Sequence, residues 1–128
     1  MSEITERDPA PKRGFIKRAK KVIKALRKEG LFHSTALAAL LEAGVRAQTA
    51  NDPQAVLSAL STAISKLEVA ECRAMVAAAK RQKGLLIGGI EGQALVREAD
   101  EWFRDQGVVN PERFAAFMAP GLGNTRFN

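Results

Sequence analysis

Residues 53–83, PQAVLSALSTAISKLEVAECRAMVAAAKRQK, decide the fold of this chain. Apolar side chains recur there at three- and four-residue intervals, and no glycine or internal proline interrupts them. Val56, Leu57, Leu60, Ala63, Ile64 and Leu67 share one helical face. Asn51-Asp52-Pro53 supplies the start: Asp52 is a capping residue, and Pro53 suits the first helical position, where no amide partner is lost. Continuing the same face places Glu68 and Glu71 on it, which is costly for carboxylates unless they are paired. The second half instead aligns Val69, Cys72, Met75, Val76 and Ala79, about 100° further round the helix. Two arrangements fit this slip: a kink near residues 67–70, or one long helix whose halves meet different neighbours. The absence of glycine and proline favours the single helix.

Composition points the same way along the whole chain. There are twenty-two alanines and no tyrosine among 128 residues. Alanine is the best helix former and lets helices approach closely. An all-α class follows, as a single-domain bundle of about five helices, packed orthogonally or irregularly. The length suits one core and not two.

Outward from the central stretch, residues 1–11 read as a flexible arm with two prolines, 12–120 as the helical domain and 121–128 as a tail. The first helix runs from Phe15 to Glu29, with Phe15, Ala19, Val22, Ile23 and Leu26 on one side and Gly30 as its C-cap. Ser34 is a candidate N-cap for a second helix carrying Leu37, Leu40 and Leu41, which ends at Gly44 or continues to about Ala50. Lys80, Arg81 and Lys83 close the long central helix, where cations favour the dipole. Residues 84–92 place three apolar residues before a glycine pair, a pattern that suits a Gly-rich apolar crossover in extended form. A further helix follows from Gly92 to Gln106, with Leu95, Val96, Ala99, Trp102 and Phe103 inward and Gly107 as its stop. Asn110-Pro111 opens a short last helix bearing Phe114, Phe117 and Met118.

Enzyme chemistry is poorly supported, and the expectation is a protein without catalytic residues, cofactor or metal. His33 is the sole histidine, and no second histidine or cysteine lies near it in metal-ligand spacing. Cys72 stands alone within a helical pattern and reads as a structural thiol. Glu98, Asp100, Glu101 and Asp105 form a solvated acidic face, although Glu101 and Asp105 are one turn apart as acid/base pairs can be. Glu68 and Glu71 suit ion pairing with Arg73 or with a base on another helix. The glycines at 84, 88, 89 and 92 match no phosphate-loop or dinucleotide spacing. A helix-turn-helix over 34–67 fits weakly, because the connection is long and Lys66 is the second helix's only cation.

Charge carries the strongest signal. Residues 12–28 hold nine basic side chains and no acid, while the rest of the chain has eleven bases against fourteen acids. On the helical wheel, Lys17, Lys20, Lys21, Lys24, Arg27 and Lys28 oppose the apolar side, so a phosphate-tracking surface is expected. The candidate contacts are Lys12, Arg13, Lys17, Arg18, Lys20, Lys21, Lys24, Arg27 and Lys28, extended by Lys80, Arg81 and Lys83 if the third helix ends nearby. Lysine outnumbers arginine, and the face has almost no Asn, Gln, Ser or Thr, so phosphate contact is favoured over base readout. Nucleic acid, DNA first, is the expected partner. The alternative is an adaptor or inhibitor that docks the same helix on an acidic protein surface. The acidic fifth helix and the basic first helix also suit self-association. No apolar run is long enough for a membrane span, and the polar, acidic first residues are unlike a signal peptide, so the chain reads as cytoplasmic with no integral membrane association.

Overall fold

Alanine sets the spacing of the helices. A computed structural model of the chain describes residues 9–49 and 52–122. Every regular element among them is a helix: α1 (Pro9–Glu29), α2 (Phe32–Thr49), α3 (Pro53–Val69), α4 (Arg73–Ile87), α5 (Gly89–Asp105) and α6 (Pro111–Met118). The described residues form an all-α bundle of six helices. Each helix packs on the next from α1 to α6, and α6 also packs on α4.

Two helices are buried on both sides, and both are rich in alanine. In α2, Ala36, Ala39, Leu40 and Ala43 face a central core with Val56, Leu60, Ala63, Ile64 and Leu67 of α3. Ala38 and Val45 look the other way, onto Ala19 and Ile23 of α1. In α4, Ala79 joins the central core, while Ala77 and Ala78 pack on Phe103 and Ala115. Phe103 is fully buried and meets Trp102 and Phe114 edge to face, with ring centroids 5.5 and 5.4 Å away. After α6 the chain returns to α2. Leu122 lies in the central core, and Gln48 Nε2 donates to Gly121 O at 2.7 Å. Gly44 permits this return, because a Cβ there would overlap Pro120 O.

Several boundaries differ from the sequence reading. The helix of the N-terminal segment begins at Pro9, inside the expected arm; residues 1–8 lie outside the described set. Leu122 is a core residue although it was placed in the tail, while 123–128 are outside the described set. Ser34 does not cap α2, which starts two residues earlier; it is buried and donates to Glu29 Oε1 at the end of α1. Of the two ends open for the second helix, the longer holds: Gly44 lies within α2, which continues to Thr49. Asp52 does cap α3, accepting from Gln54 N at 3.0 Å, and Asn110 caps α6, accepting from Arg113 N at 3.1 Å. Val22 and Val69, both expected in the core, are 45% and 71% exposed. Val22 sits at the edge of the arc centred on Ala19 and Ile23, and Val69 is the last residue of α3. The side chain of Phe117 lies outside the described set.

The single helix expected over 53–83 is two helices. Val69 ends α3 and Arg73 starts α4. Between them Glu71 adopts φ 58°, the left-handed conformation that usually falls to glycine. Its amide donates to Glu68 O, and the next amide, Cys72 N, reaches back to Leu67 O, both at 3.0 Å. The end of α5 repeats this arrangement, with Gly107 (φ 88°) donating to Arg104 O and Val108 N to Phe103 O. Two helix ends therefore share one capping geometry, one built on glycine and one on glutamate. Gly at 71 would remove the Cβ strain, so Glu71→Gly is expected to raise stability by about 1 kcal/mol. Urea unfolding checks this: a lower midpoint at unchanged m would show that Glu71 is not strained.

The expected crossover at 84–92 is absent. Residues 85–87 complete α4, Gly88 (φ 70°, ψ −169°) makes the turn, and α5 begins at Gly89, whose φ of 64° is also left-handed. A Gly-rich apolar run suits a tight helical hairpin as well as an extended strand, and here the close approach of two helices at Gly84 and Gly92 goes with the hairpin, whose tip is exposed at Leu85, Ile87 and Ile90. Gly84 and Gly92 face each other across the turn: a Cβ on Gly84 would stand 2.6 Å from Gly92 O.

Candidate nucleic-acid interface

α1 packs on α2 as its main neighbour. Ala19 and Ile23 are its buried anchors, with Phe15, Ile16 and Leu26 half-buried beside them. The remaining surface of the helix is free to carry charge. Lys12, Arg13, Lys17, Arg18, Lys20, Lys21, Lys24, Arg27 and Lys28 are all exposed. At 1.5 Å per residue they span about 24 Å of the helix axis. Among the described residues only Arg27 has a carboxylate within reach, Glu42 Oε1 at 4.0 Å. The face is therefore rigidly mounted and almost uncompensated.

The three α4 cations do not extend it. Arg81 is 9% exposed, and its Nε donates to Asp100 Oδ1 at 2.7 Å. A guanidinium held this way has no surface to offer a ligand, so Arg81 is a structural residue. Lys80 pairs with Glu68 at 3.4 Å, and Lys83 is half-buried near the turn into α5. α4 packs on α3, α5 and α6, away from the α1 contact. The sequence offers Glu68 either Arg73 or a base on another helix, and the break between α3 and α4 makes Lys80 such a base; the pair is solvent-exposed and worth little. The Arg81–Asp100 pair is largely desolvated, and breaking such a pair leaves a buried charge uncompensated. Asp100→Asn is expected to cost about 3 kcal/mol, seen as a lower urea midpoint at constant m. A change below 0.5 kcal/mol would show that the pair is not a fastening between α4 and α5.

The residues weighed for other chemistry are dispersed. His33 is exposed at the start of α2, and Glu98, Glu101 and Asp105 are exposed on α5. Cys72 is half-buried beside the central core, with Sγ 3.8 Å from Ala70 O. A cavity of about 500 Å³ between α4 and α5 has an apolar floor that includes Val76, Leu95 and Trp102, with Glu68, Glu71, Glu98, Arg73 and Lys80 on its rim. Among the described residues no group of three or more His, Cys, Asp or Glu could hold a metal ion, and no helix is long and apolar enough to cross a membrane. The glycines at 84 and 92 serve helix packing, which accounts for their spacing without a phosphate loop.

Two cations beyond the predicted set lie next to α1. Arg46 of α2 shares Glu42 with Arg27, at 3.4 Å, and Lys66 of α3 lines the same groove. Their separation in sequence from residues 12–28 hides them; only the α1–α2–α3 packing brings them together. Comparison with protein-family models, curated proteins and solved structures gives no match for this chain.

Proposed function

We propose that this is a cytoplasmic nucleic-acid-binding protein that grips DNA mainly through its phosphates, with α1 as the contact surface. One observation carries the reading: all nine cations of residues 12–28 are exposed on a helix anchored through Ala19 and Ile23. Lysines three and four apart repel one another along that helix, and a polyanion relieves the repulsion. Lysine, a point charge suited to phosphate contact, outnumbers arginine on this face by six to three, and the amide and hydroxyl side chains that also read base edges are almost absent. Neutralising about six phosphates gives a log–log salt slope near −5.

Mobility shifts with random-sequence duplex and single-stranded DNA, run across a salt series, test this against Lys17, Lys21, Lys24 and Lys28 changed together to Gln. Absence of micromolar binding at low salt, or binding indifferent to the fourfold change, overturns it. Loss of a single acidic protein from a pull-down with that variant would then favour an adaptor that docks α1 on an acidic surface.

A further inference from the structure

We infer that the groove where α1, α2 and α3 meet is a second phosphate subsite of the same interface, an inference that rests on the nucleic-acid reading above. The groove encloses about 350 Å³ and takes one cation from each helix: Arg27, Arg46 and Lys66. Ser58 and Thr62 of α3 add hydroxyl donors, and alanines at 39, 55 and 59 leave the space open. Glu42 is the single carboxylate in the lining, so the groove keeps a net positive charge.

The state of Glu42 points to an anion from outside. It is shared by two guanidiniums, at 3.4 Å from Arg46 and 4.0 Å from Arg27. Both contacts are longer than the 2.7–2.9 Å of a well-made charge-assisted hydrogen bond. All three side chains are partly open to water, so the pairs are weak and replaceable. A phosphodiester presents two oxygens that share one negative charge to the same two forks, with Lys66 and the hydroxyls as further donors. Glu42 then acts as an internal counterion that holds the arginines in place and competes with the ligand.

Continuity with α1 gives the path. Arg13, Lys20 and Arg27 recur every seven residues, in steps of about 10 Å along one edge of the helix. A backbone following that edge leaves α1 at Arg27 and meets Arg46 and Lys66. The contact becomes a track over three helices, which fixes where the polyanion crosses the molecule.

Short random-sequence duplex DNA and the full chain provide the test, with four proteins compared across a salt series: wild type, R46Q/K66Q, E42Q and the fourfold α1 variant. R46Q/K66Q is expected to weaken binding roughly tenfold or more at 0.1 M salt, and to reduce the salt slope by about 2. E42Q is expected to bind more tightly, by roughly threefold or more at 0.1 M salt, because its competing charge is gone. If the fourfold variant abolishes binding while R46Q/K66Q keeps wild-type affinity and slope, the subsite is wrong and α1 alone is the interface. E42Q binding no tighter than wild type also overturns the subsite. If the fourfold variant binds like wild type, the nucleic-acid reading itself falls. All substituted positions are exposed or half-buried, and far-UV melting verifies that each variant is folded.

Discussion

Changing Lys17, Lys21, Lys24 and Lys28 together to Gln is expected to weaken duplex DNA binding by about 10³-fold at 0.1 M salt while leaving the fold slightly more stable. The four side chains form one ladder, with neighbours three or four residues apart, in the middle of the exposed arc of α1. Each phosphate contact contributes a slope of about 0.9, or nearly one decade of affinity at 0.1 M salt relative to 1 M. Losing four contacts moves the slope from near −5 to near −2. The stability change runs the other way. Lys and Gln have similar helix propensity, so the substitution costs little locally. It removes eight like-charge pairs at three- or four-residue spacing, each worth at most a few tenths of a kcal/mol. A variant that loses both DNA binding and thermal stability would mean that these lysines belong to the fold. Opposite signs in the two measurements separate a binding surface from a structural one.

Local patterns were legible where the physical cause is local. Asp52 before Pro53, Asn110 before Pro111, and Gly107 at the end of α5 each act through bonds within a few residues, and each stands where the sequence placed it. The orientation of α1 was legible because charge and apolarity alternate at helical spacing. The break at Glu71 was not, because its cap uses glutamate at a position where glycine is the usual sign. A signal was nevertheless present: the apolar stripe slips by about 100° after Leu67, the offset that the turn at 70–72 absorbs.

What stayed hidden depends on contacts distant in sequence. Arg81 reads as a surface cation in a run of bases, and only Asp100, nineteen residues away, makes it a buried fastening. The sequence leaves Gly44 open as a helix end or an interior residue and shows no reason for a glycine there, whereas its lack of a side chain serves Pro120 on the returning chain. Arg46 and Lys66 are unremarkable alone and join Arg27 only because Ala-rich α2 lets its neighbours come close. The composition that announces an all-α fold thus also builds the grooves between its helices.

Gly84→Ala is expected to be among the most damaging methyl additions in the chain, costing about 2–3 kcal/mol and lowering the melting temperature by about 10 °C. Alanine is the better helix former, and its propensity alone would add up to about 1 kcal/mol of stability, even in the last turn of α4 where Gly84 lies. The environment reverses that sign. The new methyl would meet Gly92 O at 2.6 Å, and Leu95 Cβ and Val96 Cγ2 at 3.0 Å. The first of these is backbone, which cannot turn aside. Gly88 allows little room for the helices to part, since its amide donates to Gly84 O and its carbonyl accepts from Gly92 N, both at 2.9 Å. The Arg81–Asp100 pair at 2.7 Å ties the same two helices. Relief therefore requires α4 and α5 to separate and expose the cluster around Phe103. Gly14→Ala is the matched control: a methyl there meets only the mobile end of Arg18, with Nη1 at 3.1 Å. Helix propensity should win at that site, and α1 should gain up to about 1 kcal/mol. Equal effects from the two substitutions would refute the close approach of α4 and α5, and with it the packing role assigned to Gly84 and Gly92.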